Sequence, residues 1–350
     1  GTFDVDISPS KALDVYLKMP NMKDVGEYFL DIYAYTRKAS DLLPAGYEIA
    51  KEQFLIKGNW FDRKTVTTGN LSYQKDNTSL SFTSGNVTGK VSLKDGTLCE
   101  YSINGKSPFK KWTAPVPNFW RAPNDNDYGN KLSEKSGVWR TADINKIMKS
   151  LEVGDLTSEG LSVNVNYILT DIQVPYTLVY LIKKDGSVRI TSKINLEGKQ
   201  LPELPRFGMR MDLVEGYDSL HYYGRGPQEN YPDRYTSAFL GVYSDSVSGE
   251  YFPYIRPQET GNKTGVRWLT LLDKDGYGLR VEGVKEPIAF TALHVTPEDL
   301  DPGLTRKMQH EIDILQRRST TLLVDLKQRG LGGDNSWGML PHKEYQMWDK

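Results

Sequence analysis

The sequence predicts an all-β protein: a large antiparallel β-sandwich preceded by part of a smaller one. Three observations point there. First, Asp-Gly pairs sit between apolar or alternating runs in VSLKDGTLCEYSI (91–103), LVYLIKKDGSVRITSKINL (178–196) and LTLLDKDGYGLRVEGV (269–284). Asp-Gly is a strong hairpin signal, because both central residues of a type I′ turn need positive φ. Second, Val188, Ile190, Ser192 and Ile194 share one face of a strand while Arg189, Thr191 and Lys193 share the other, the pattern of a sheet with one buried side. Third, helical signals are few: SEKSGVWRTADINKIM (133–148) and TPEDLDPG (296–303) each fit a short helix, the second with Thr296 as N-cap and Pro297 in the first turn. Neither is long enough to cover a sheet.

In chain order, DVYLKM (14–19), YFLDIYAYT (28–36) and AKEQFLI (50–56) read as strands of the small sandwich, placed in residues 1–60. The polar stretch 57–79 reads as connecting chain, with a linker at 61–69, a boundary near Thr68 and the large sandwich over 70–350. A length of 350 residues suits about two domains with a substantial core. Lys+Arg 44 against Asp+Glu 45 gives a formal charge of -1, so no global field favours nucleic acid or an anionic membrane. No apolar run approaches a membrane span. Cys99 is the single cysteine, which excludes an intramolecular disulfide. The opening GTFDVDISPS reads as a cut through a longer polypeptide.

Chemistry concentrates in four loops. NFWRAPNDNDYGN (118–130) holds Arg121, Asp125, Asn126 and Asp127; YYGRGPQENYPDR (222–234) holds Arg225, Gln228, Glu229, Asn230 and Arg234. YFPYIRPQETGNKTGVRW (251–268) holds Gln258, Glu259 and Asn262; GLGGDNSWG (330–338) holds Asp334, Asn335 and Trp337. If these loops meet at one end of a sandwich, they surround one cavity with arginines, amides, carboxylates and aromatics. Sugars offer hydroxyls to planar bidentate partners and a C–H face to aromatic rings, so this mixture suits a saccharide.

Those four motifs, in that order, resemble the C-terminal part of glycoside hydrolase family 2 β-galactosidases. The resemblance covers about residues 70–345 strongly and residues 1–60 weakly. It implies a galactose-mutarotase-like sandwich behind the last strands of an immunoglobulin-like domain. It also implies a galactoside substrate bound through the parent enzyme, a catalytic TIM barrel on the same polypeptide and a homo-oligomer, with no nucleic acid or membrane as partner. The family's two catalytic glutamates lie on that barrel, about 5 Å apart for retaining chemistry, so no catalytic residue, metal ligand or cofactor is expected in this chain; any cation the parent enzyme uses is expected elsewhere. Trp337 matches the tryptophan that in the family reaches the sugar, with Gly332, Gly333, Asp334 and Asn335 shaping its loop.

Each feature also has a plainer reading. Trp337 could cap the sandwich core. The 222–234 loop could be a latch in which Glu229 or Asp233 holds Arg225 or Arg234, and a rigid latch and a pocket wall can be the same residues. The Asn-Asp-Asn-Asp run at 124–127 invites a calcium site but fails EF-hand spacing, with Asn130 where Gly should stand and Ser136 where Glu should, against Asn and Asp capping their own turn. A freestanding carbohydrate-binding module and an aldose epimerase are the competing functions; the latter needs a histidine acid, and His221, His294, His310 and His342 are the candidates.

Overall fold

A computed structural model describes residues 1–23, 25–63, 67–111, 113–304, 309–335 and 337–348. The chain divides into two compact units, Gly1–Arg63 and Lys64–Lys350. In the first, β1 (Tyr28–Tyr35) and β2 (Glu48–Lys57) pair antiparallel, with Leu30 opposite Phe54 and Ile32 opposite Glu52. Residues 14–19, expected as a strand, make no ladder: alternation alone does not make a strand where no neighbour supplies hydrogen bonds.

The second unit opens on a four-stranded meander of β3 (Ser72–Lys75), β4 (Ser79–Ser84), β5 (Val87–Ser92) and β6 (Leu98–Ile103). Part of the stretch expected to be connecting chain is thus an edge strand, β3; residues 64–66 of the expected linker lie outside the described residues. A three-residue strand, β7 (Val116–Asn118), then leads into three single turns, α1 (Asp125–Gly129), α2 (Leu132–Lys135) and α3 (Trp139–Ala142). The helix expected within 133–148 is therefore two separate turns, and its last three residues begin β8 (Lys146–Leu156). Gly137 interrupts the run, and the β-branched Ile144 and Ile147 favour extension.

β8 pairs onward with β9 (Gly160–Leu169), β10 (Val174–Lys183) and β11 (Val188–Ile194) as a second meander. Strict alternation on β9 and β10 buries Val163, Val165, Leu178, Tyr180 and Ile182, which share one core with Leu80, Phe82, Val91 and Leu98 of the first meander. The remaining strands are β12 (Arg206–Leu213), β13 (Ser219–Gly226), β14 (Phe239–Ser246), β15 (Lys263–Val266), β16 (Trp268–Leu272), β17 (Gly278–Glu282) and β18 (Ile288–Leu293). After them come α4 (Pro297–Leu300) and β19 (Thr320–Gln328). They form a sheet ordered β15-β18-β19-β12-β7 and another ordered β14-β13-β16-β17. Between these two lies the second core, built on Leu213, Leu220, Tyr222, Leu269, Phe290 and Leu322.

The expected hairpins are present, but their turns differ from the expected type. Only the glycine of each pair, Gly96, Gly186 and Gly276, takes positive φ (74°, 84° and 80°). Asp95 and Asp185 instead turn their carboxylates onto the loop backbone, as Asp185 does to Ser187 N at 2.9 Å, and in the third loop Asp273 does so to the backbone of Asp275 and Tyr277, so longer loops closing on a left-handed glycine replace the two-residue type I′ turn. α4 forms as expected: Thr296 and Asp299 cap each other reciprocally.

Candidate functional site

α1 begins where Asn124 and Asp127 cap each other, Asn124 Oδ1 accepting from Asp127 N at 2.7 Å and Asp127 Oδ2 from Asn124 N at 3.1 Å. The Asn-Asp run therefore starts a helix and caps its own turn. Asp127 is fully buried and ion-pairs with two fully buried arginines, Arg121 (3.0 Å) and Arg329 (2.7 Å). Arg121 also donates to the carbonyls of Arg329 (2.7 Å) and Gly330 (2.9 Å), and Arg329 Nε reaches Glu203 at 3.1 Å. The two arginines and two carboxylates balance in charge, and together they fix where β19 ends and the 330–338 loop begins. Buried charge of this kind contributes a defined geometry more than net stability.

The second and third loops lock to each other. Asn230 N donates to Asn262 O and Asn262 Nδ2 to Asn230 O, both at 2.8 Å, while Asn230 Oδ1 accepts from Thr264 N at 2.8 Å. Glu229 accepts from Gly261 N at 2.8 Å and is bonded to Arg234 and Tyr254. The latch reading of 222–234 is thus met by Arg234 and Glu229. Arg225 instead donates to Ala238 O at 3.0 Å and lies over the Tyr235 ring, and Gln228 donates to Ser237 O. Despite their matching Pro-Gln-Glu cores, the loops use their glutamates differently: Glu259 is buried against Arg206 at 2.9 Å. Arg206 Nε also lies 3.1 Å from Asp325 Oδ2, without the alignment of a hydrogen bond. Burial lifts the Asp325 carboxyl to about 7, against the pull of Arg206. Gln258 folds back on Arg256 O and lines a narrow crevice with Asp125 and Tyr128.

The fourth loop is clamped onto α1. Asn124 Nδ2 donates to Leu331 O at 3.0 Å; Asn126 accepts from Gly338 N at 2.9 Å and donates to Met339 O at 2.8 Å. Gly338, at φ +99°, packs so closely on Gly129 that a Cβ would lie 2.3 Å from the Gly129 carbonyl carbon. Asp233, expected as a latch within its own loop, accepts from Gly332 N at 3.1 Å and ties the second loop to the fourth. Asn335 Oδ1 accepts from Trp337 N at 2.9 Å, and Asp334 bonds His342 at 2.8 Å, raising the histidine pKa. On this frame Trp337 stands 86% exposed; it does not cap the core. Ser336 of the motif lies outside the described residues.

All four loops therefore meet. Residues 83–350 match the family model described as "Beta galactosidase small chain", and residues 1–57 match "Beta-galactosidase, domain 4". The chain belongs to the β-galactosidase small-chain family. It is 30% identical over 349 residues to a β-galactosidase of Priestia megaterium, covering 98% of this chain and 33% of that protein. It is 29% identical to one of Halalkalibacterium halodurans (98% and 33%) and 27% identical to one of Streptococcus thermophilus (98% and 32%). The chain thus spans about a third of the length of the curated relatives it matches.

Within this small chain, sequence reasoning missed Arg206, Glu203, Asp325, Arg329 and Tyr254, the partners that hold the named residues in place. A signal existed for two of them: Asp325 and Arg329 interrupt and end the apolar run TTLLVDLKQR, and a charge inside such a strand needs a buried partner. No group of three or more His, Cys, Asp or Glu among the described residues is arranged to hold a metal. His294, the strand-end candidate for epimerase chemistry, bonds Asp218 and Ser319 O.

Proposed function

We propose that this chain is the non-catalytic portion of a β-galactosidase and that Trp337 closes one side of its galactoside pocket, while a catalytic domain of the same enzyme supplies the two carboxylates. The observation that carries the reading is the exposed indole on an otherwise immobilised loop: a large apolar ring left in water, with its backbone held by Asn126, Asn335 and the Gly129–Gly338 contact. A ring held at fixed position offers a sugar C–H face a platform without an ordering cost at binding. The β-galactosidase relatives support the substrate class. Glu229 and Glu259 do not support hydrolysis by this chain itself, since each is already bonded to an arginine.

The test is Trp337→Ala in the full-length enzyme, with a chromogenic galactoside. The expected outcome is a fall in kcat/KM of at least roughly tenfold, about the effect of losing one good contact in the transition state. Trp337→Phe should recover part of it. Unchanged kinetics would make the region purely structural. Turnover by the 350-residue chain alone would overturn the division of labour, and saturable galactose binding by it, lost in Trp337→Ala, would make it a binding module.

A further inference from the structure

A cavity of about 480 Å³ lies in the second unit, away from the Trp337 loop, between β7, β12, the α3 turn and the start of α4. That volume falls within the usual range of small-molecule sites, about 300–1,000 Å³. Its walls are rigid. Trp120 Nε1 donates to Asp301 at 2.8 Å, Arg140 lies over the Trp120 ring at 4.7 Å and pairs with Asp301 at 3.1 Å, and Arg210 pairs with Glu298 at 2.6 Å.

Among the described residues, three atoms of the lining have no protein hydrogen-bond partner: Asn118 Nδ2, Arg140 Nε and Asp143 Oδ1. Asn118 is only 6% exposed, and nothing in the described residues accepts from its Nδ2. Asp143 Oδ1 is buried in the same wall with no donor. Leaving either group unpaired costs about 1–3 kcal/mol, and a leucine at 118 would fill the same space without that cost. Together, the unpaired atoms of Asn118, Arg140 and Asp143 put two donors and one acceptor on a single open cavity, where a ligand can reach them.

Charge decides the class of ligand. Each arginine of the wall is matched by carboxylates, Arg140 by Asp301 and Arg210 by Glu298 and Asp212, and Asp143 adds a further carboxylate, so an anion would meet repulsion. The surface between the polar groups is apolar, from Val116, Pro117, Ile144 and Met211. A neutral molecule with hydroxyls that both donate and accept, and with C–H faces for the apolar wall, fits this pattern. We infer that the cavity is a saccharide site for one or two neutral sugar units, with Asn118 Nδ2 donating to a sugar oxygen and Asp143 Oδ1 accepting from a hydroxyl. The site is separate from the Trp337 platform and does not depend on it.

Calorimetric titration of the chain with galactose, glucose and lactose tests this. Saturable binding of at least one sugar is expected, retained in Trp337→Ala and weakened at least roughly tenfold, a lost hydrogen bond's worth, in Asn118→Leu and in Asp143→Ala. Asn118→Leu should at the same time raise Tm, because it removes a buried unpaired amide; Asp143→Ala serves as a second probe of the same pocket should leucine disturb β7. Failure of all three sugars to bind overturns the inference. So does binding that Trp337→Ala abolishes, or that Asn118→Leu and Asp143→Ala both leave intact. An unchanged Trp337→Ala enzyme would refute the platform proposed above and leave this site standing.

Discussion

The loop junction and the cavity beside β7 share one sandwich and the same residue types, yet they surround their polar groups differently, with packed protein at the first and open space at the second. At the junction, Asp127 meets two arginines, Glu229 accepts from four different residues, and Asn230 uses both ends of its amide. Buried atoms without a partner remain at both places: Arg121 Nε, Arg329 Nη2 and Asp233 Oδ1 at the junction, on side chains tied down by their other atoms, and Asn118 Nδ2, Arg140 Nε and Asp143 Oδ1 on residues that line the cavity. A bonded network holds backbone in place; an unpaired atom beside an open cavity is costly to the fold and available to a ligand. The difference teaches that the rim's polar side chains are largely engaged with one another, while Trp337 is left exposed.

The largest effect should come from breaking the junction. Arg121→Ala leaves Asp127 with one cation fewer and strips donors from the carbonyls of Arg329 and Gly330, so urea unfolding should show a loss of about 3–5 kcal/mol. A loss near zero would mean that the buried cluster does not fix the loops.

The cavity should respond with the opposite sign. Burial raises the Asp143 carboxyl from 3.8 to about 6, with Lys146 opposing. Between those values the folded chain keeps a proton that the unfolded chain has lost, so this group's contribution to stability declines as pH rises through that window. Asp143→Asn should therefore stabilise the chain at pH 7 by up to about 3 kcal/mol, a gain that fades below about pH 4. Equal gains at both pH values would place the cause elsewhere.

A smaller and local effect is expected at the clamp. Gly338→Ala puts a Cβ against Gly129 in a left-handed backbone and should cost about 1–3 kcal/mol, read as faster hydrogen exchange across 330–338. The smallest belongs to Trp337→Ala. With the ring exposed, unfolding free energy should stay within about 0.5 kcal/mol of the parent, so that any loss of galactoside turnover is separable from loss of fold.

Much of this was legible in the residues themselves. β10 and β11 follow their alternation, Thr296 and Pro297 mark α4, and Asp-Gly marks each hairpin, because these signals act over a few residues along the chain. The turn type was not legible, since an Asp carboxylate can cap a longer loop as readily as Asp can adopt positive φ. Nor was the failure of residues 14–19 to form a strand. At the site, the residues themselves mark the four loops and offer the Glu229–Arg234 pairing. That Asp233 would reach Gly332 across 99 positions, or that Arg329 would complete the Asp127 pair, was beyond any local pattern.

The sequence by itself determined strand periodicity, caps, the neutral charge balance and which loops carry chemistry, since each depends on neighbours within a turn or two. Only the tertiary structure decided which polar groups find partners, which stay empty beside β7, and that the indole of Trp337 faces water. Those outcomes depend on contacts between segments hundreds of residues apart, where burial sets the cost of an unpaired atom and geometry alone says whether a partner is in reach.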